Sequence, residues 1–198
     1  MNKPLLSLAL VAATTLVWSG CSGGGARRID AGGRESVTTV GSVDIQDFVT
    51  AAEASVGKLL ASGALDKVPN PPAILAVSLV RNQTGQQFDT DLLTKKIRVK
   101  LNTSGKALTT TTVGLDGVAE DPLAKQLQGE REQVERKKAG VTPDFTLSGK
   151  IIETRARAGD VRQSTFSFQL SLTDKRGLAL WEGEEEITKQ GKRPSVGF

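Results

Sequence analysis

Of the side chains that usually carry covalent or metal chemistry, this chain has one cysteine and no histidine. Without histidine there is no Ser-His-Asp or Cys-His relay, and almost every zinc site is excluded. No GxxxxGK[ST] loop and no GxGxxG stretch after a strand is present, so phosphate-cradling backbone is not encoded either. The carboxylates that remain sit mostly in mixed-charge stretches such as Gly129-Glu130-Arg131-Glu132. Acid–base hydrolysis of a glycan is the one enzymatic class left, with little to support it. No catalytic residue, cofactor or metal is expected.

The cysteine has a different use. Met1-Asn2-Lys3 supplies a positive start, Leu5 to Val17 is an unbroken run of apolar and small residues, and Val17-Trp18-Ser19-Gly20 leads into Cys21. This pattern is an export signal, expected to cover residues 1–20 and to take no part in the fold. A lone thiol in an exported chain cannot close an internal disulfide. The arrangement resembles the bacterial lipoprotein signal, with Trp18 where leucine is usual, and that resemblance implies a diacylglycerol on Cys21. Each buried CH₂ contributes about 0.8 kcal/mol, so two or three acyl chains anchor stably. In such lipoproteins an Asp after the cysteine favours inner-membrane retention; Ser22 here implies the outer membrane, periplasmic face. Ser22-Gly23-Gly24-Gly25 and the polar residues after it read as a tether over 21–43, averaging about 25 Å as a coil.

The formal charge of +4 and a pI near 9.3 favour anionic cell-wall peptide stems, lipid headgroups or an acidic protein face. Nucleic acid is a poor partner for an exported protein. Arg136-Lys137-Lys138 is the densest basic run, and a solvated helix end accounts for it.

The elements that would position any site follow from periodicity. Ile45, Phe48, Val49, Ala52, Val56, Leu59 and Leu60 recur at helical spacing, with Asp44 as N-cap and Gly63 as terminator. Ala73 to Val80 is apolar at both alternations, which predicts a central strand, and Arg81 to Gly85 reads as its turn-rich exit. Asp89 is placed to cap a second helix whose buried stripe is Leu93, Ile97 and Leu101, ended by Gly105. Ala107 to Val113 predicts an edge or half-exposed strand. Asp121-Pro122 opens a charged third helix to about Lys138, with Leu123, Leu127 and Val134 as sparse apolar contacts.

From Phe145 the period becomes two. Phe145, Leu147 and Ile151 form one face, then Phe166, Phe168, Leu170 and Leu172, with Leu178 and Leu180 in a last strand. Turns at Ala158-Gly159-Asp160 and Asp174 to Gly177 suit hairpins. The expected fold is α+β: one two-layer domain over 44–190, helices packed on a mixed sheet that ends in an antiparallel three-strand meander, with 191–198 as a tail.

Five polar or aromatic candidates stand out. Asn82 and Thr84 suit a turn that bonds its own backbone, a binding role being the other reading. Trp181 is expected under a helix rather than on display. Arg155 and Arg157 share one strand face and could meet an acidic partner, or be solvated.

Val77 to Gly85 with Phe88 to Ile97, and Pro143 to Ile151 with Phe168 to Leu172 and Gly177 to Glu182, resemble the outer-membrane lipoprotein activators of penicillin-binding proteins, the LpoB type. Asn82, Thr84 and Gly85 match that family's N-x-T-G/N strand end, Asp89-Thr90 its helix opening, and Trp181 the tryptophan of its strand close to the end. The resemblance spans roughly residues 70 to 190. It implies a periplasmic domain without enzymatic activity that binds and activates a bifunctional penicillin-binding protein, promoting cell-wall peptidoglycan synthesis. Two departures are the short tether and the missing acidic residue after Gly177. An adaptor lipoprotein of a secretion or surface-assembly system is the alternative.

Overall fold

The computed structural model describes residues 43–112, 121–137 and 140–192. The expected signal, Cys21 and nearly all of the tether lie outside these residues, as do Val113, Lys138 and the chain after Lys192. Val43, read as the tether's last residue, is buried against the core.

Helix α1 spans Ile45–Ala61 and buries Phe48, Val49, Ala52, Val56 and Leu59 on one stripe. The Asp47 carboxylate accepts the Asp44 N–H at 3.1 Å, satisfying an amide that the first turn leaves open. Gly63, at φ 73°, sends the chain into a 3₁₀ turn, Ala64–Lys67, that buries Ala64 and Leu65; periodicity gave no hint of it. Helix α2 spans Asp91–Thr103, one residue later than a cap at Asp89 predicts. Thr90 is the capping position. Asp89 Oδ1 instead accepts the Asp91 N–H at 2.8 Å, taking a first-turn amide from one residue further out. Helix α3, Pro122–Glu135, starts where Asp121 Oδ1 accepts the Ala124 N–H at 2.9 Å. It buries no residue, and its apolar contacts are as sparse as its sequence.

The strands are β1 (Ala73–Val77), β2 (Arg81–Gln83), β3 (Ala107–Thr109), β4 (Phe145–Ala158), β5 (Val161–Asp174) and β6 (Ala179–Lys192). They form one mixed sheet in the order β3-β1-β4-β5-β6, with β2 beside β4. β1 runs parallel to β3 and β4, β2 parallel to β4, and β4-β5-β6 is the antiparallel meander. The architecture is the expected two-layer α+β domain. Three boundaries differ. β1 stops at Val77 rather than Val80, and a short strand occupies Arg81–Gln83 in place of a turn. β3 ends at Thr109. Leu178 precedes β6 and is 52% exposed, because the Asp174 side chain accepts the Arg176 and Leu178 amides at 2.8 and 2.9 Å and holds that residue in the turn.

The two faces of the sheet differ sharply. Leu75, Leu147, Ile151, Phe166, Phe168 and Leu172 are buried on the face that carries α1 and α2. Phe48 stacks on Phe88 at 4.9 Å and meets Phe166 edge-on at 5.7 Å. On β6 this face holds charges, with Lys58–Glu185 at 2.6 Å and Lys189–Asp47 at 2.8 Å. Inward-pointing charges on an edge strand discourage pairing with a foreign strand. The other face over β4-β5-β6 is polar: Ser148, Lys150, Gln169, Ser171, Glu182 and Glu184.

Arg98, on α2, is buried. Its Nε donates to Thr109 Oγ1 at 3.3 Å and its Nη2 to the Thr110 carbonyl at 3.1 Å, so α2 holds the β3 edge in place.

Candidate partner-binding face

β4 and β5 are 14 residues each, longer than the helix layer that covers them. The last buried position of β4 is Ile151, and beyond it the hairpin projects. Gly159, at φ 61°, supplies the left-handed conformation that a tight hairpin requires. The turn fixes the register so that Ala158 pairs with Val161, Arg157 with Arg162, Arg155 with Ser164 and Glu153 with Phe166. Arg155, Arg157 and Arg162 therefore share the face that Ile151 buries further down. A shallow cup of about 390 Å³ lies among them, closed by Gln86 and Ser164.

Arg155 and Arg157 differ in role. Arg155 is clamped, its Nε and Nη2 reaching the two Glu153 carboxylate oxygens at 2.6 and 2.8 Å. The Glu153 side chain is only 4% exposed and also accepts the Gly85 N–H at 2.9 Å. Arg157 is exposed and, among the described residues, donates only from Nε to the Gly159 carbonyl, at 3.2 Å. Arg162 is exposed and has no carboxylate partner among the described residues. Like charges placed directly opposite destabilise a sheet. The hairpin tip keeps such a pair nonetheless.

The segment from Asn82 to Gln86 is a closed turn. Asn82 Oδ1 accepts the Thr84 N–H at 3.0 Å and the Thr84 hydroxyl at 2.7 Å, while Asn82 Nδ2 donates to the Gln86 carbonyl at 2.8 Å. The Gln86 N–H returns to Thr84 Oγ1 at 3.1 Å. Both side chains are consumed locally, and their product is the placement of Gly85 against Glu153. The turn therefore props the hairpin face without being displayed. Asp89 lies apart from it at the start of α2. Trp181 is half-buried against the core, paired across the sheet with Leu172. Its ring lies over Gly183, where an added β-carbon would collide with it and approach Ser55 on α1 at 3.0 Å.

Two residues of this face escape sequence reading. Arg162 is legible only once the hairpin is counted outward from Gly159-Asp160. Glu153 acquires its role from Gly85, 68 residues away.

The Arg155 hydrogen bonds, aided by the Gly85 amide, hold the Glu153 carboxyl below the usual carboxylate range. A depressed carboxyl stabilises the fold above its unfolded value, about 4.3, and that contribution is lost as pH falls through the folded value. Glu153→Gln is expected to destabilise by about 1–3 kcal/mol at pH 7. In urea melts the gap from wild type should narrow progressively as pH falls below about 4.3. A gap that persists undiminished in acid would show that the charge is not what matters.

The family model described as the peptidoglycan-synthase activator LpoB matches residues 47–187, which spans every element from α1 into β6. The LpoB C-terminal domain from Salmonella enterica aligns at 17% identity and a TM-score of 0.43, covering 71% of this chain and 98% of that one. The NMR structure of Escherichia coli LpoB aligns at 15% identity and 0.40, covering 96% and 93%. Lipoprotein GNA1162 from Neisseria meningitidis aligns at 17% and 0.36, covering 63% and 88%. No curated protein matches. The family match extends across the turn at Asn82, the Glu153 clamp and the arginine hairpin, and this chain belongs to the LpoB family of non-catalytic peptidoglycan-synthase activators.

Proposed function

We propose that the chain, acylated on Cys21 and held at the periplasmic face of the outer membrane, activates a bifunctional penicillin-binding protein through the arginine hairpin. Arg157 and Arg162 meet an acidic face of the synthase, and Arg155 borders the contact. The folded domain over 44–190 is the active part, and 21–43 is its leash. Stimulation requires the domain to bind the working conformation of the synthase more tightly than the idle one. The supporting observation is the exposed Arg157–Arg162 pair, a local repulsion that an acidic partner would relieve. Electrostatic complementarity of this kind also speeds encounter.

The test uses the lipoprotein purified in detergent. Palmitate label should enter the wild type and not Cys21→Ser. Titration into the synthase should raise the rate of glycan polymerisation from lipid-linked precursor to a plateau, and the plateau should be reached at higher protein concentration as salt is added. Absence of both binding and stimulation would remove the reading.

A further inference from the structure

The open face of the sheet holds a second basic feature, away from the arginine hairpin. β1 and β2 both pair with β4, Val77 with Leu147 and Arg81 with Lys150. Four steps along the first segment thus match three along β4. The extra residue makes a bulge at Ser78 to Val80. The Ser78 N–H still reaches the Leu147 carbonyl at 2.9 Å, and the Val80 N–H is taken by Thr94 Oγ1 at 3.3 Å. The Leu79 N–H between them finds no acceptor among the described residues. Bulges bend a strand and re-aim what it carries, and they concentrate beside functional sites.

Here the bulge opens a cup of about 310 Å³ on the outer face, lined by Ser78, Leu79, Arg81, Ser148, Lys150 and Gln169 among others. Arg81 and Lys150 are direct register partners, a second like-charge pair that the fold alone does not favour. Among the described residues Arg81 has no ion pair or hydrogen bond from its side chain. The carboxylate nearest in effect to Lys150 is Glu184, whose charge feels it through space. Glu184 itself is turned to the Ser167 hydroxyl and to Gln169 Nε2. Among the described residues the Ser148 hydroxyl has no hydrogen-bond partner. Ser78 Oγ donates to the Leu147 carbonyl at 3.2 Å and closes the cup from the side. The open groups, two cations and a hydroxyl, can all donate.

We infer that this cup binds an oxyanion, a carboxylate or phosphate group, with the Arg81 guanidinium as the bidentate fork and Lys150 as the second charge. Arg matches planar oxyanions in two parallel hydrogen bonds, while Lys acts as a point charge. The Ser148 hydroxyl completes the set. This site shares no residue with the arginine hairpin and does not depend on the synthase contact.

Amide NMR on the full ¹⁵N-labelled chain in detergent tests it with two probes, inorganic phosphate and the carboxylate of N-acetyl-alanyl-alanine, at constant ionic strength. The expected result is a saturable shift at Leu79, Arg81 and Ser148 to Lys150 with at least one probe. The tighter probe identifies which group the cup takes. Arg81→Gln and Lys150→Gln should each weaken that response about tenfold or more, while Lys150→Arg retains it. Both positions are exposed strand sites, and unchanged shifts elsewhere would certify the fold. No saturable response to either probe, a response that survives in the Arg81→Gln/Lys150→Gln double variant, or shifts confined to the Arg157–Arg162 hairpin would overturn the inference.

Discussion

A chain whose sole change is Arg157→Glu is expected to fold slightly more stably than the wild type and to fail at the synthase. The two effects have separate physical origins. Position 157 lies directly across from Arg162 at the projecting end of β4 and β5, so a carboxylate there replaces a repulsion with a cross-strand ion pair. Such a pair contributes roughly 0.2–1 kcal/mol relative to a neutral one, and the midpoint of a urea melt should rise accordingly. At an acidic partner face the same change turns attraction into like-charge contact, which costs several kcal/mol. The concentration needed for half-maximal stimulation of polymerisation should increase at least about thirtyfold, the equivalent of 2 kcal/mol. Arg162→Glu should behave in the same way. Arg155→Glu should not, because it sets two carboxylates against each other at the Glu153 clamp and loses stability as well. Were Arg157→Glu to stimulate the synthase as well as wild type, the hairpin would be no contact surface, whatever the stability showed.

That pairing shows where sequence reading works and where it stops. The stripe of α1, the apolar run of β1 and the alternation of β4 to β6 are written in single-element periodicity, so the two-layer fold was legible before any contact was known. Asn82 and Thr84 read as turn formers, and their bonds to Gln86 and to each other are the local kind that short segments encode. Asp89 misleads because an Asp can take the first-turn amide from outside the cap position as well as from it. Arg157 was visible as a strand-face charge, but its meaning lies in Arg162, which only the hairpin register supplies. Glu153 reads as one more strand carboxylate, and its burial depends on Gly85 arriving from the turn that follows β2. The cup beside Arg81 is invisible for the same reason. It requires β1 to break at Val77, and an apolar run extending to Val80 predicts no break.

The converse case isolates the scaffold from the contact. Phe48→Ala is expected to destabilise by about 3–5 kcal/mol, the range for removing a fully buried phenylalanine side chain. For a domain of this size that lowers the melting temperature by about 10 °C. The ring is fully buried, stacked on Phe88 and edge-on to Phe166. Its loss empties the point where α1, the segment before α2 and the meander meet. Phe166 is the cross-strand partner of Glu153, so the loosened core lies directly beside the clamp. Hydrogen exchange at the Gly85 amide should therefore accelerate. Arg157 and Arg162 sit beyond the helix layer, and in the cold, where the variant remains folded, half-maximal stimulation of the synthase should stay within about twofold of wild type. Phe48→Ala thus spares function while weakening the fold, and Arg157→Glu does the reverse. If Phe48→Ala abolished stimulation at a temperature where circular dichroism shows it folded, the hairpin could not be acting as a self-sufficient charged surface, and activation would have to run through the packing of α1 on the sheet.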